Sequence, residues 1–421
     1  MSFDLPVLPP GWSYVPLEQL AQKNSVTYGV VQPGSHVGHG IPIVRVNNFK
    51  DGRVELSELM RIESEIESKY GRTRLQGGEV LITLVGSVGQ VAVAPETLKG
   101  FNVARAVAVI HPHEVDPNWL AICLRSPLSQ HLLSSRANTT VQTTINLKDL
   151  RALPVPMAPQ YEREKIIELI GSLDYRITLL RETNATLEAI VQALFKAWFV
   201  DFDPVHAKVE GLEPEGMDAA TAALFPDSFE ESERGLVPRG WTVTKFGDFI
   251  NRLSVGQKYD QKSAFPEGIV PILDQGRSGI IGYHNDSPGV KASLDEPVVV
   301  FANHTCYMRL ITFDFSAIQN VLPFNGRAVD TVWAFYATKD RTKFSEYKGH
   351  WPDFAIEKLP LPSEDLTRAF RKAVDPIIRK IRFSELQAQT LTQIRDTLLP
   401  RLISGQLRLS EAEVQVETVC A

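Results

Sequence analysis

Between Gln160 and Asp203 the chain sorts apolar from polar residues with a strict period. Ile166, Ile170, Leu173, Ile177, Leu180, Asn184, Leu187, Val191, Leu194 and Trp198 follow one another in alternating steps of four and three. That spacing predicts a coiled-coil seam rather than the wider stripe of an ordinary surface helix. Residues 166–198 would form about 50 Å of helix at 1.5 Å per residue. Glycine 171 is the one weak helix former inside the run, and no proline interrupts it. Asn184 is the one polar seam residue, expected to cost stability and fix register through a partner at its own level.

A second copy lies near the C-terminus. Shifted by 204 residues, the seam falls on Phe370, Val374, Ile377, Ile381, Ser384, Ala388, Leu391, Arg395, Leu398 and Leu402, of which eight are apolar. Pro376 is expected to open or kink this helix near its start, and Pro400 with Gly405 to disturb its end. Neither stripe is buried by its own helix, so the two are expected to bury each other, each being tethered to the other at high effective concentration.

Outside the helices the apolar residues come in short β-branched runs broken by turn signals. Residues 1–158 show such runs at Ile41–Val46, Val80–Val85, Val91–Ala94 and Val103–Ile110, with a helix around Asn118–Ser134. Residues 236–365 show them at Val270–Leu273, Val298–Ala302 and Val332–Tyr336. Both segments open alike, with Leu8-Pro-Pro-Gly-Trp12 and Val237-Pro-Arg-Gly-Trp241 at an offset of 229 residues. The chain therefore reads as one α+β architecture used twice. Domain 1 spans 1–158, the first long helix 159–204, domain 2 236–365, the second long helix 366–409 and a tail 410–421. Residues 205–235, without sustained period, read as a surface connection ordered in part at most.

Charge alters this picture in one place only. The net charge of −6 resides in residues 205–235, which carry 2 basic and 8 acidic residues, while both domains are nearly neutral. Such a balance permits DNA binding without arguing for it. Three scattered cysteines (Cys123, Cys306, Cys420) suggest neither a disulfide framework nor a metal pattern. No apolar run approaches membrane-spanning length and the N-terminus lacks a signal-peptide pattern, so a cytoplasmic protein is expected.

Catalytic signatures are scarce. There is no phosphate-binding glycine-rich loop, no dinucleotide fingerprint and no Asn-Pro-Pro-aromatic tetrapeptide of adenine methyltransferases. Glu67-Ser-Lys69 and Asp260-Gln-Lys262 have the tail spacing of some metal-dependent nucleases but lack the preceding Pro-Asp pair. His284, His304 and Cys306 match no common zinc spacing. A non-enzyme is expected.

The helix ends carry longer motifs. Ala193-Leu-Phe-Lys-Ala-Trp-Phe-Val-Asp-Phe-Asp-Pro204 and Thr397-Leu-Leu-Pro-Arg-Leu-Ile-Ser-Gly-Gln-Leu407 resemble the signatures that close the two conserved regions of the DNA-specificity subunits of type I restriction-modification enzymes. The repeated Leu-Pro-x-Gly-Trp opening and Thr143-Thr-Ile-Asn-Leu-Lys-Asp-Leu150 resemble the same family. His350-Trp-Pro-Asp-Phe-Ala-Ile-Glu-Lys-Leu359 keeps less of the pattern. The resemblance implies two target-recognition domains separated by an antiparallel helix pair, related by a pseudo-twofold repeat and reading the halves of a split DNA sequence. Two modification subunits would bring S-adenosylmethionine and two restriction subunits ATP and Mg, leaving this chain without cofactor or catalysis of its own. The rival readings are a coiled-coil scaffold that binds only protein and an enzyme with an unrecognised site.

Base reading needs Arg, Lys, Asn or Gln held on loops or strand ends of a rigid domain. Under the resemblance the candidates are Arg72, Arg74, Ser87, Gln90, Arg105, Gln142, Thr143 and Asn146 in domain 1, and Lys258, Gln275, Arg277, Asn303, Arg309 and Arg327 in domain 2. Phe195, Trp198, Phe199 and Phe202, with Leu399 and Ile403, stand beside the seam and are expected to dock partner subunits.

Overall fold

The computed structural model describes residues 5–136, 144–276, 279–344, 346 and 348–420. Gln142, Thr143 and Arg277 lie outside the described residues. The chain divides into two units, Met1–Thr178 with Ala388–Ala421, and Leu179–Gln387. Each holds one α+β domain and parts of both long helices.

The first domain is built on two small sheets. In one the strand order is Thr27–Tyr28, Val107–Ile110, Val80–Thr83, Val91–Val93, all antiparallel. In the other, Ile41–Val44 lies between Met60–Ile62 and Asn102–Val103 and runs parallel to the latter. The run expected at Val103–Ile110 is thus two strands in different sheets, joined by a turn at 104–106. Ser13–Pro16 pairs with Pro154–Met157, closing the domain where its first and last strands meet. The expected helix around Asn118–Ser134 is two helices, Pro117–Arg125 and Pro127–Ser134. Pro127 removes a backbone donor at that point, and the Ser126 side chain caps the second helix by accepting the Ser129 N–H at 3.2 Å.

The second domain repeats the core of this topology, with Lys258–Tyr259 as a fourth strand in its second sheet and, among the described residues, no counterpart of the Phe49–Lys50 and Arg53–Val54 pair. Its antiparallel sheet has the order Ile250–Arg252, Val321–Gly326, Val298–Ala302, Met308–Ile311. Its other sheet sets Val270–Leu273 parallel to Ser316–Ile318 and antiparallel to Ile280–His284. Thr242–Lys245 pairs with Lys358–Leu361 as Ser13–Pro16 does with Pro154–Met157. Val332–Tyr336, expected as a strand, is the middle of a helix, Thr331–Thr338. The Asp330 carboxylate caps it by accepting the Val332 and Trp333 N–H groups, and Val332 through Thr338 are all buried. A short helix that is apolar all round carries no 3.6-residue signal, so its β-branched and aromatic content misleads.

Each long helix is continuous over 40 residues, Gln160–Phe199 and Glu364–Ile403. Pro376 neither opens nor breaks the second one, which starts twelve residues earlier at Glu364. Beyond Pro400 the helix runs on to Ile403, and Gly405 ends the segment at φ +69°. In the first unit Ile166 and Ile170 share a core with Leu398 and Leu402. Asp174, a turn further on, meets Arg395, a turn further back, at 2.8 Å, so the helices are antiparallel here. In the second unit Asn184 donates to the Ile381 carbonyl at 3.1 Å and Phe195 packs edge-on against Phe370, again antiparallel. Asn184 thus finds its partner in backbone rather than in another side chain.

The seam is dry in some places and half-open in others. Ile166, Ile170, Leu173, Ile177, Val191, Leu391 and Leu398 are buried, whereas Leu180, Asn184, Leu187, Leu194, Ile377 and Ile381 are only half-buried. Ile378 rather than Ile377 is the buried residue after Val374. Of the other predicted positions in the second helix, Phe370, Val374, Ser384, Ala388 and Leu402 are buried and Arg395 is held by Asp174.

Three further expectations change. Residues 205–235 contain two short helices, Asp203–Val209 and Ala219–Ala223, and a hairpin, Phe229–Ser232 with Gly235–Pro238. Val205 and Phe225 anchor them in the second core. The tail is a helix, Leu409–Cys420, with Ala412 buried in the first core. Phe195, Trp198 and Phe199 are not free for partners: they are buried against Phe225, Trp241, Trp333 and Phe370, and Phe202 packs on Phe229 and Trp241. Leu399 and Ile403 are buried in the first core. The second aromatic stripe serves its own domain because Trp241 and Trp333 supply the apolar surface it needs.

Candidate nucleic-acid interface

In the first domain, the end of the central strand Val80–Thr83 gathers three loops. Leu84 donates its N–H to the Ala106 carbonyl at 2.7 Å and its carbonyl accepts the Ile145 N–H at 3.0 Å. Thr83 closes the turn 84–89: its carbonyl accepts the Gly89 N–H, its hydroxyl donates to the Ser87 carbonyl, and the same oxygen accepts the Gln90 N–H at 2.9 Å. Gly89 holds φ +84°, a left-handed conformation that favours glycine, and a Cβ there would have to displace the end of the Gln130 side chain. Ser87, Gln90, Arg105 and Asn146 are thereby brought to one end of the sheet.

Their side chains have different duties. Asn146 caps the helix Leu147–Arg151 by accepting the Asp149 N–H at 2.8 Å. Ser87 and Arg105 are exposed and Gln90 is half-buried, and none of their side chains hydrogen-bonds among the described residues. The Arg105 backbone is fixed, its N–H donating to the Val30 carbonyl at 2.8 Å. Arg72 is exposed on the turn Ser68–Thr73. Arg74 is tied to Glu67 at 2.9 Å, and its hydrogen bonds hold that carboxylate below its ordinary range. Glu67 in turn accepts from Asn102, so this pair braces the strand that leads to Arg105.

The second domain assembles the same end with other residues. Asn303 donates its N–H to the Asn320 carbonyl at 2.9 Å and accepts from the His350 N–H at 2.8 Å, as Leu84 does with Ala106 and Ile145. Ala302 accepts the Cys306 N–H and donates to Tyr307, as Thr83 does with Gly89 and Gln90. Cys306 even adopts the left-handed conformation of Gly89, at φ +57°. The turn is two residues shorter, 303–306 against 84–89.

Here most of the candidates are structural. The Gln275 side-chain carbonyl accepts the His304 N–H at 3.0 Å, and the Asn303 side chain accepts the Trp351 N–H at 2.9 Å at the start of the helix Trp351–Ile356. Arg309 donates to the Asp274 carbonyl at 3.1 Å, and burial draws its pKa below the ordinary value. Arg327 belongs to the wrong end. It donates to the Gly247 and Asp248 carbonyls beyond Gly326, roughly 20 Å along the strand from the turn at 319–320. Lys258 is exposed and pairs with Ala317, close to that turn.

Strand register reveals two residues that sequence inspection missed. Val107 faces Thr83 and Val321 faces Ala302, which sets Gln319 in the place of Arg105. The parallel pairs Val44 with Val103 and Leu273 with Ala317 give the same equivalence. Tyr307 likewise stands where Gln90 does. No motif marks either residue, and only the hydrogen-bond ladder aligns them.

A family model described as "Type I restriction modification DNA specificity domain" matches residues 11–189. Over those residues, less than half of its length, the chain is similar to the type I restriction-modification DNA specificity family. It is 32% identical over 188 residues to the type I restriction enzyme EcoBI specificity subunit of Escherichia coli, covering 44% of this chain and 40% of that one. It is 24% identical over 379 residues to the HindI specificity subunit of Haemophilus influenzae, covering 74% of this chain and 82% of that one. The type I S subunit structure from M. genitalium aligns at 15% identity and TM-score 0.48, over 93% of this chain and 96% of that one. The first of these matches spans less than half of the relative, the second most of it. Among the described residues no helix is long and apolar enough to cross a membrane.

Proposed function

We propose that this chain is the specificity subunit of a type I restriction-modification enzyme, a non-catalytic protein that binds a bipartite DNA sequence. One observation carries the reading: the same sheet end, closed by the same hydrogen bonds, is built twice with different exposed residues. Two modules with a common frame and divergent tips suit two different half-sites. The mixture of free and structurally engaged polar residues fits a surface on which phosphate contacts outnumber base contacts. Two modification subunits would supply S-adenosylmethionine and two restriction subunits ATP and Mg, in the cytoplasm. Exposed Leu179, Phe383 and Leu386 on the helices of the second unit offer apolar surface to those partners, in place of the buried aromatic stripe.

The test compares the pure chain with the complex it forms with its modification subunits. The chain alone should transfer no methyl group from S-adenosylmethionine to DNA, and the complex should methylate one split sequence. Methylation by the pure chain would make it an enzyme in its own right. Assembly without any sequence preference would leave the coiled-coil scaffold as the answer.

A further inference from the structure

Arg105 and Gln319 occupy one position in the two domains. Each lies in the short turn that leaves the parallel strand pair and enters the central antiparallel sheet, after Asn102–Val103 and after Ser316–Ile318. Each follows a residue locked by a parallel bridge, Ala104 with Val30 and Ile318 with Tyr259. Each is followed by a residue whose carbonyl accepts from the central strand end, Ala106 from Leu84 and Asn320 from Asn303. Both side chains are exposed, and neither hydrogen-bonds among the described residues. A long polar side chain without a structural partner, on backbone fixed from both sides, is what a base reader requires. Of the other candidates at this end, Asn146, Gln275, Asn303 and Arg309 are engaged in caps and turns, Ser87 is short, Gln90 is half-buried, and Lys258 stands where the first domain has Gly29.

We propose that Arg105 and Gln319 are the paired specificity residues of the two domains, Arg105 selecting guanine and Gln319 selecting adenine at the corresponding base of each half-site. The chemistry follows from the side chains. A guanidinium donates two parallel hydrogen bonds to guanine O6 and N7, whereas a carboxamide donates to N7 and accepts from the N6 amino group of adenine. On the wrong base the guanidinium sets a donor against the adenine N6 amino group, and the carboxamide sets its acceptor oxygen against an acceptor of guanine. The proposal rests on the DNA-reading function above and assigns residues within it.

The experiment uses the assembled complex of the full chain with its modification subunits, and sequencing of methylated genomic DNA. Arg105→Gln should convert one guanine of the first half-site to adenine, and Gln319→Arg one adenine of the second to guanine, with every other base unchanged. Each change should shift preference roughly 5- to 150-fold, as expected for one bidentate contact. A variant that methylates nothing must regain binding on a DNA carrying the compensating base. The assignment fails if both variants keep the parental sequence, if binding weakens equally on all sequences as for a phosphate contact, or if the compensating base restores nothing. A parental complex without any split recognition sequence would instead overturn the DNA-reading function itself.

Discussion

A single side chain in this protein holds a helix, closes a turn or faces solvent, and hydrogen-bond partners separate the three. Asp330 is of the first kind. It satisfies two of the orphan donors at the start of the buried helix Thr331–Thr338, and Asp330→Ala should cost about 0.5–2 kcal/mol in a denaturant titration. Glu67 is tuned by its neighbours. Its hydrogen bonds from Arg74 and Asn102 place its pKa below that of the unfolded chain, so the unfolded state binds the proton more tightly. The stabilisation is therefore present above the ordinary carboxylate pKa of about 4.3 and fades as pH falls through the folded value. Thermal unfolding between pH 7 and pH 3 should show this loss, and Glu67→Gln should flatten that part of the curve. An unchanged slope in the variant would mean that Glu67 is not coupled to folding. Arg105 and Gln319 are of the third kind, and their freedom is what gives them a function.

At the scale of elements, the long helices are held where their stripes are dry and tuned where they are not. In the first unit Ile170 is fully buried beside Leu398 and Leu402, so Ile170→Ala should destabilise that unit by about 2–5 kcal/mol, read from its urea midpoint. Leu187 is only half-buried, and truncating it should cost distinctly less. Equal losses at the two sites would contradict the uneven seam. Asp174 joins Arg125 at 3.0 Å to Arg395 at 2.8 Å, tying a domain helix and both long helices through one carboxylate. The domain turns obey a similar economy. Thr83 closes a six-residue turn with its backbone and hydroxyl, while Ala302 closes a shorter one with backbone alone.

For the whole molecule, duplication is the organising fact. Two domains share strand order, register and closing hydrogen bonds, yet share little sequence beyond their opening motifs. Separable frames imply separable specificities. Replacing residues 1–158 with the corresponding domain of a relative should change one half of the methylated sequence and leave the other intact. Mapping methylated sites in cells that express the hybrid with its modification subunits would decide it. A change in both halves would show that the domains do not read independently.

Periodicity alone determined the long helices, their seam and the doubling of the chain, because a heptad repeat and a repeated opening are local regularities that survive without contacts. The strands Val270–Leu273 and Val298–Ala302 were equally legible, as short β-branched runs between turn signals. Tertiary structure decided everything that depends on partners distant in sequence. Val332–Tyr336 became helix because Asp330 caps it and every residue from Val332 to Thr338 is buried, so that no periodic signal survives. Pro376 stayed within a continuous helix whose neighbours Val374 and Ile378 are buried in the second core. Phe195, Trp198 and Phe199 turned inward because Trp241, Trp333 and Phe370 were folded against them. The equivalence of Gln319 with Arg105 is of the same kind. It lives in the matching registers of two strand pairs, Thr83 with Val107 and Ala302 with Val321, which lie more than two hundred residues apart in sequence, and no window along the chain contains both.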